Sequence, residues 1–495
     1  MYETFASDLL AVAPTLLVAA VGVAVVLIDA FRNDSPMIPW LAGAGLLAAA
    51  VLEGLRASSG VTTLHFGGQV YAGGAASLAN VVVLIGAGLS LVLSVPYLRR
   101  IGHAYGEVFA LMMIATAGMM TLASAGSLVT LFVGLETMSV CLYVLTGLVR
   151  EEQTANESAL KYFLLGAFST GFFLYGIALL YGATGTMVLA ELAPALALTG
   201  RTALFLAGVA LLLVGFFFKV SAVPFHMWTP DVYQGSPTSL TAFMSTASKA
   251  ATFAALSVVL ARALPPDLVT GAVQVTLAAI AVVTMVVGNV AALGQTNVKR
   301  MLAYSSIAHA GYVLAGLAAG TAAGYGGALF YLLAYTVMNV GAFGVMGALE
   351  WDGEQGAEQT LDSLSGIGYR RPWLAAALGV FMFALTGFPP LGGFIGKYLV
   401  FAAAVNAGLT WLAVIGVLAS VVSAVYYLRV LVVAWMRSPD EASEGSRANA
   451  FTVATSTAVV VGVCVVALLA LGVIPGTLIG VSEGAFAVPA VALVP

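Results

Sequence analysis

The sequence predicts an all-α, polytopic membrane protein of about fourteen transmembrane helices, and three observations support this fold class. The chain has 495 residues, of which 61% are hydrophobic and only 8% are charged, whereas a soluble domain is about 25% charged. Its hydrophobic residues form long runs that match the ~20 residues a helix needs to cross a bilayer. These runs also lack the polar–apolar alternation of a barrel strand.

Fourteen runs fit this length, and helix is the expected form because backbone groups in lipid must be bonded within their own segment. The predicted spans lie near 9–31, 37–55, 78–97, 107–125, 127–148, 160–182, 203–225, 238–262, 271–293, 301–320, 325–349, 372–404, 408–436 and 452–474. The lipid bilayer is therefore the solvent for most of this chain.

The basic residues of the loops predict the orientation, because cytoplasmic loops carry an excess of lysine and arginine. Loops after odd-numbered spans contain Arg32, Arg99, Arg100, Arg150, Lys161, Lys299, Arg300, Arg370, Arg371, Arg437 and Arg447. Loops after even-numbered spans contain only Arg56, Arg201 and Arg262. This asymmetry predicts that both termini lie outside and that the loops near 150, 290 and 360 are cytoplasmic.

Composition argues against several classes of function. A net charge of −4 without a long basic run argues against a nucleic-acid partner. The two cysteines, Cys141 and Cys464, each lie inside an apolar run, and no cluster of Cys or His fits zinc, haem or an iron–sulfur centre. Without a redox centre of its own, a chain that moved protons would need energy from an ion gradient or from a partner. Moving each proton costs about 2.3 kcal/mol per 100 mV.

Four basic residues are not assigned to a loop and fall inside predicted spans, Lys219, Lys249, Lys397 and Arg429, and the acidic Glu136 lies in mid-span. Each costs roughly 2.5–3.5 kcal/mol at mid-membrane. Arg429 reads as an end residue whose long stem reaches the cytoplasmic surface. We interpret the other four as proton carriers. A buried lysine with a movable acidic partner can bind and release a proton, whereas an arginine cannot. Static ion pairs are the alternative interpretation.

His309 is the histidine that lies clearly inside a span, and its surroundings favour proton transfer. Ser305, Ser306 and Tyr312 stand four and three residues before it and three after it, so all share its helix face. A histidine that is merely hydrogen-bonded within the bundle is the alternative. His226, at the end of the seventh span, reads as an interfacial residue.

Two spans are predicted to be broken, because proline removes a backbone donor and glycines let the chain unwind. Pro224 interrupts the seventh span, and Pro389 and Pro390 interrupt the twelfth. Breaks five spans apart, each beside a lysine, are typical of an inverted-repeat transporter. The predicted divisions are 1–106 for helices 1 to 3, 107–262 and 263–437 for two inverted five-helix repeats, and 438–495 for helix 14 and the tail.

The motifs at 159–168, 219–235 and 297–309 resemble the subunit N family of proton-pumping NADH:quinone oxidoreductase, respiratory complex I. The Ser-Ala-Val-Pro-Phe-His-Met-Trp-Thr motif from Ser221, together with Lys397, favours this family over the related subunits L and M. The resemblance implies that Glu136 and Lys219 interact, that Lys249 is the central protonation site, and that His309 bridges to an exit-side Lys397. It also implies that Lys161 belongs to the proton pathway.

The resemblance further implies that NADH, FMN, iron–sulfur clusters and quinone are bound by partner subunits, with subunit K-like and M-like neighbours in the bacterial plasma (inner) membrane. The expected function is that of a proton-translocating subunit driven by redox chemistry elsewhere in the complex. Two alternatives stay open, a subunit of a multisubunit sodium/proton antiporter and a scaffold with static buried charges.

Overall fold

The structure of the chain, a computed structural model, describes residues 2–32, 35–200, 202–350, 359–438, 453–486 and 492–493. In this part of the chain α-helices predominate, and thirteen of them are long and apolar enough to cross a membrane. The prediction of an all-α, multi-pass membrane protein is therefore confirmed. Arg201 and Arg447, which the orientation argument counted, lie outside the described residues.

The membrane-length helices are α1 (Tyr2–Phe31), α2 (Met37–Ser58), α3 (Gly74–Arg100), α4 (Gly106–Ala123), α5 (Leu128–Thr146), α6 (Gln153–Thr184), α8 (Ala203–Val220), α10 (Thr238–Val258), α12 (Gln274–Leu293), α13 (Val298–Ala318), α14 (Ala322–Leu349), α18 (Thr410–Met436) and α19 (Thr455–Val473). Shorter helices are α7 (Leu189–Thr199), α9 (Trp228–Gly235), α11 (Pro266–Leu268), α15 (Ile367–Arg370), α16 (Pro372–Thr386), α17 (Gly392–Asn406) and α20 (Gly476–Gly484). Strands β1 (Thr62–His65), β2 (Val70–Gly73) and β3 (Ala492–Leu493) form a small sheet in the order β2-β1-β3. Its β1–β2 pair is antiparallel and its β1–β3 pair is parallel.

The structure corrects two loop assignments. Helix α6 starts at Gln153 rather than near 160, so Lys161 lies within the helix. Lys299 lies in the first turn of α13 and is fully buried. Both assignments were wrong because hydropathy marks where an apolar run begins, whereas a helix also continues through polar residues that find partners in neighbouring helices.

The predicted twelfth span is present as two helices of 15 residues each, α16 and α17. This division explains why thirteen unbroken spans stand where fourteen runs were predicted. The seventh span likewise ends with α8 at Val220, and the chain resumes as α9 at Trp228. Pro224, Pro389 and Pro390 lie in the two gaps, and their side chains are exposed at the surface of the chain.

The two breaks share one backbone pattern. Ser221 follows α8 with φ 65° and Gly387 follows α16 with φ 90°, the left-handed conformation that ends many helices. The next amide bonds back across the turn in both, from Ala222 to the Phe217 carbonyl at 2.8 Å. The equivalent bond runs from Phe388 to the Phe383 carbonyl at 3.0 Å. A cis X-Pro bond lies within each gap.

A second pattern recurs where α5 and α13 begin. Ser127 and Asn297 are the N-caps of these helices, and each side chain accepts a hydrogen bond from the third residue beyond it, as capping residues do. Ser127 also forms an isolated β-bridge with Val188, after α6, and Asn297 forms one with Thr360, after α14. Two segments five spans apart therefore have matching local structure.

Helices α10, α13 and α14 form the centre of the bundle. Their most apolar 18-residue windows are 100%, 94% and 94% buried, whereas the value for α1 is 22% and that for α19 is 33%. In a bilayer the poorly buried helices face lipid and the central ones face protein. The central helices carry Lys249 and His309, so two of the predicted site residues lie far from lipid.

Candidate functional site

Lys249 lies on α10 and is 2% exposed. Its ammonium donates to the Ser306 hydroxyl at 2.5 Å and to the Ser306 backbone carbonyl at 3.0 Å. No carboxylate of the described residues is a charge partner of this lysine. A buried ammonium without a counter-charge is costly. The site can therefore exchange a proton instead of holding a permanent ion pair.

The Ser306 hydroxyl connects Lys249 to helix α14. Tyr335 donates to it at 2.7 Å, and the Asn339 amide donates to the Tyr335 hydroxyl at 2.6 Å. Tyr233 of α9 approaches the same serine at 3.4 Å between oxygens. Since Tyr335 and Asn339 are four residues apart, they share one face of α14. A hydroxyl that contacts an ammonium and two phenols can pass a proton by rotating.

His309 has a hydroxyl partner at each ring nitrogen. Its Nδ1 lies 2.7 Å from the Tyr331 hydroxyl, and its Nε2 lies 3.0 Å from the Tyr427 hydroxyl. Tyr427 also bonds to the Ser305 hydroxyl. Phenols donate and accept, so the imidazole can take a proton on one nitrogen and release it from the other.

Lys397 reaches back across the break between α16 and α17. Its ammonium donates to the carbonyls of Leu385 at 3.0 Å and Thr386 at 2.8 Å, and to the Ser420 hydroxyl at 2.6 Å. The last carbonyls of α16 have no helical donor because the helix ends there. The ammonium also lies 4.6 Å from the centroid of the Tyr312 ring.

Helix α13 connects these groups. Ser306, His309 and Tyr312 recur every three residues and face the same side, as the sequence predicted. Ser306 contacts Lys249, and Tyr312 lies over Lys397. The structure thus brings Lys249, His309 and Lys397 into one buried polar row.

Lys219 lies in the last turn of α8, in a box of aromatic rings. Its ammonium donates to the Tyr143 hydroxyl at 3.1 Å and lies 5.1–5.6 Å from the ring centroids of Tyr143, Tyr162 and Phe218. Trp228 stacks on Tyr162 at 4.4 Å and donates to the Phe218 carbonyl at 3.0 Å. Such rings hold a cation through their π faces.

Glu136 does not contact Lys219 directly among the described residues. Its carboxylate accepts from the Thr170 hydroxyl of α6 at 2.7 Å. Tyr143 stands seven residues, or about two turns, further along α5 and touches Lys219. Glu136 and Tyr143 therefore lie on one face of α5, and the implied Glu136–Lys219 interaction is not a salt bridge in this structure.

Lys161 lies outside the buried row, in a cluster of ion pairs. It contacts Glu157 at 2.5 Å and Asp231 at 2.8 Å, and Asp231 contacts Arg300 at 2.6 Å. Burial raises the pKa of Asp231, but the hydrogen bonds and charges of Lys161 and Arg300 outweigh this effect and lower the pKa below 3.8. The cluster joins the start of α6 to α9 and to the start of α13.

His226 and Arg429 differ in their structural surroundings. His226 lies in the gap between α8 and α9, where partial burial lowers its pKa despite an opposing effect of the Pro224 backbone. Arg429 donates to the carbonyls of Leu293 at 3.1 Å and Gln295 at 2.5 Å. A cation at a helix C-terminus is favourable, so Arg429 holds the end of α12.

Several network residues were not identified from the sequence. Tyr331, Tyr335 and Tyr427 were not singled out in the sequence, although four-residue spacing places the first two on one face of α14. Lys299 was counted as a loop charge and Glu350 was not singled out, yet both are buried. Among the described residues no group of three or more His, Cys, Asp or Glu side chains is arranged to hold a metal ion.

The family model described as NADH:quinone oxidoreductase/Mrp antiporter, transmembrane, matches residues 125–423. That range includes Glu136, Lys219, Lys249, His309 and Lys397. The match therefore covers all of the buried row and the Lys219 box.

The chain is 59% identical to the NADH-quinone oxidoreductase subunit N of Salinibacter ruber, over 100% of this chain and 99% of that protein. A chain of respiratory complex I from Thermus thermophilus has a similar structure, with a TM-score of 0.81 and 36% identity over 95% of this chain and 100% of that one. A chain of the Mrp complex from Dietzia sp. shares the fold, with a TM-score of 0.85 and 22% identity over 96% of both chains. This multi-pass protein belongs to the NADH:quinone oxidoreductase/Mrp antiporter family of membrane subunits.

Proposed function

We propose that this chain is a proton-translocating subunit of a NADH:quinone oxidoreductase, equivalent to subunit N. The observation that carries the proposal is the row from Lys249 through Ser306 and His309 to Lys397, which is buried and built from groups that exchange protons. Similarity over the full length to the Salinibacter ruber subunit supports the redox complex as its setting.

In this proposal each predicted residue has a role. Lys249 is the central carrier, His309 passes the proton along α13, and Lys397 releases it toward the periplasm. Lys219 and Glu136 form the driving pair, and Tyr143 transmits the state of one to the other. Because Glu136 and Lys219 do not touch, their coupling in this chain runs through that phenol.

Lys161 acts at the edge of this pathway. Its partner Asp231 also binds Arg300 of α13, the helix that carries His309. We assign Lys161 the role of holding α6, α9 and α13 in register where protons enter, which agrees with its 42% exposed side chain.

The proposal assigns energy supply and cofactors to other subunits. NADH, FMN, iron–sulfur clusters and quinone belong to partner chains, and subunit K-like and M-like proteins are the proposed membrane neighbours. The excess of basic residues on one side supports a bacterial inner-membrane protein with both termini in the periplasm.

The proposed architecture has two inverted repeats, 107–262 and 263–437, between N-terminal helices in 1–106 and a C-terminal part in 438–495. The matching breaks after Ser221 and Gly387 support this division, as do the matching bridges at Ser127 and Asn297. Repeats that start an odd number of spans apart face opposite sides of the membrane.

The second candidate function is a cation/proton antiporter subunit without redox coupling. The family model includes Mrp antiporters, and the Mrp chain from Dietzia sp. shares this fold. An antiporter subunit would differ from the first candidate in one measurable respect: its proton transport would depend on sodium and not on NADH.

The test is Lys219→Ala in the native complex, with assembly checked before NADH-driven quinone reduction and proton pumping are measured. We expect pumping to be lost, with or without slower electron transfer. Arg437→Ala is the control, because Arg437 is an exposed cation paired with Asp362. Unchanged pumping in an assembled Lys219→Ala complex would refute the proposal, and a sodium-exchange assay would then test the second candidate.

A further inference from the structure

Two buried charges take no part in the row described above. Glu350 follows α14 and is 2% exposed, and Lys299 in the first turn of α13 is fully buried. Glu350 accepts from the Thr238 hydroxyl at 2.8 Å, and Lys299 donates to the Ser236 carbonyl at 2.7 Å. The two charges thus flank Ser236 to Thr238, the segment from which α10 starts.

Helix α10 leads from this segment to Lys249. Thr238 and Lys249 are eleven residues apart, which is about three full turns, so they share one face of the helix. Glu350 and Asn339 have the same spacing on the α14 side. Asn339 donates to the Ser245 hydroxyl of α10 at 3.3 Å. The carboxylate and the lysine therefore lie at two ends of one antiparallel helix contact.

This contact contains polar atoms that lack protein partners. In the described part of the chain, Glu350 Oε1, Ser239 Oγ, Thr336 Oγ1 and Asn339 Oδ1 are buried without a hydrogen bond. Buried polar groups in native proteins are normally satisfied by protein or by ordered water. Four such atoms on α10, α14 and the residue after α14 mark where water would bind.

A cavity of about 200 Å³ opens next to this contact. It is lined by residues of α3, α10, α14 and α19, including Tyr97, Arg100, Ser239 and Gly347. Tyr97 and Thr238 both approach within 3.5 Å of the position a Cβ would take at Gly347. Through Gly347 the cavity therefore borders on Thr238, which donates to Glu350.

We propose that Glu350 is a proton-loading carboxylate and that water between α10 and α14 conducts protons from it to Lys249. The inference rests on the proposed function and adds an intake route separate from the Lys219 box. From Asn339 the route continues through Tyr335 and Ser306 to the lysine. The charged or titratable groups that face Glu350 are Lys299 of α13 and Tyr97 and Arg100 of α3.

The test is Glu350→Gln in the assembled complex. Glutamine has nearly the same shape and still accepts the Thr238 hydrogen bond, so it removes the titrating group alone. We expect NADH-driven pumping to fall on the order of a hundredfold, the low end for loss of a positioned proton-transfer group. The defect should grow as the pH on the cytoplasmic side is raised, because an intake acid matters most when protons are scarce.

Asp362→Asn is the matched control, because it removes an exposed carboxylate that pairs with Arg437 at the surface. Wild-type pumping and an unchanged pH profile in assembled Glu350→Gln would overturn the inference. If that variant does not assemble, Thr238→Val and Ser245→Ala interrupt the route without removing charge. Reduced pumping in both supports the route, and wild-type pumping in both overturns it.

The outcomes separate this inference from the proposed function. Loss of pumping in Lys219→Ala together with normal pumping in Glu350→Gln would leave the function standing and remove the intake route. Normal pumping in both would remove the function itself.

Discussion

The Lys249 ammonium is held by one residue of another helix, with its Nζ 2.5 Å from the Ser306 hydroxyl and 3.0 Å from the Ser306 carbonyl. Both acceptors are neutral, so the charge state of the lysine is not locked by a counter-ion. The same hydroxyl bonds Tyr335, which makes Ser306 the junction between the carrier and the rest of the row.

Lys249→Arg is expected to abolish pumping while the complex still assembles. Arginine retains the positive charge and donors for Ser306, but it does not deprotonate in proteins. Pumping per reduced quinone measures the effect. Lys249→Met removes the charge and is the companion variant, to be used if the site is too small for arginine. Substantial pumping in an assembled Lys249→Arg complex would contradict the carrier role.

Gly166→Ala is expected to slow pumping because a Cβ there would overlap the Tyr143 hydroxyl. The phenol must then shift from the position in which it accepts the 3.1 Å hydrogen bond of Lys219. Loss of one such hydrogen bond is worth about 1 kcal/mol, or roughly fivefold in rate. Gly171→Ala on the same helix is the control, since nothing lies within 4 Å of its added Cβ. Equal rates in the two variants would argue against a role for Tyr143.

Tyr427→Phe is expected to slow pumping roughly fivefold, because it removes one hydroxyl that bonds both His309 and Ser305, at about 1 kcal/mol for a hydrogen bond. The His309 ring would keep only its Tyr331 partner at 2.7 Å. Tyr398→Phe serves as the control, because Tyr398 is 61% exposed. A normal pumping rate in Tyr427→Phe would show that the proton does not pass through Nε2 of His309 to Tyr427.

Asp231→Asn is expected to lower the thermal stability of the solubilised complex by about 1 kcal/mol, as for a partly exposed ion pair. The folded-state pKa of Asp231 lies below its ordinary value of 3.8. The stabilisation is therefore complete above that ordinary value and is lost as the pH falls through the folded-state pKa. Melting temperatures of the variant and the wild type should differ at neutral pH and converge in strong acid. A difference that persists unchanged in acid would contradict the ionic origin.

Much of the architecture and part of the row were predictable, because their signals are local. A run of about 20 apolar residues specifies a span whatever surrounds it. Pro224 marked the break beside Lys219, and Pro389 and Pro390 with nearby glycines marked the break beside Lys397. Helical periodicity alone placed Ser306, His309 and Tyr312 on one face.

Tertiary structure decided which side chains meet that face. Hydropathy records that a residue avoids water, but lipid and protein interior are both apolar, so it does not distinguish the buried Tyr331, Tyr335 and Tyr427 from lipid-facing aromatics. The sequence by itself determined the spans, the breaks and the charged residues whose burial in the membrane is energetically costly. Packing between helices far apart in the chain determined that Glu136 meets Thr170 while Lys219 meets Tyr143, and that Lys299 and Glu350 are buried near the start of α10.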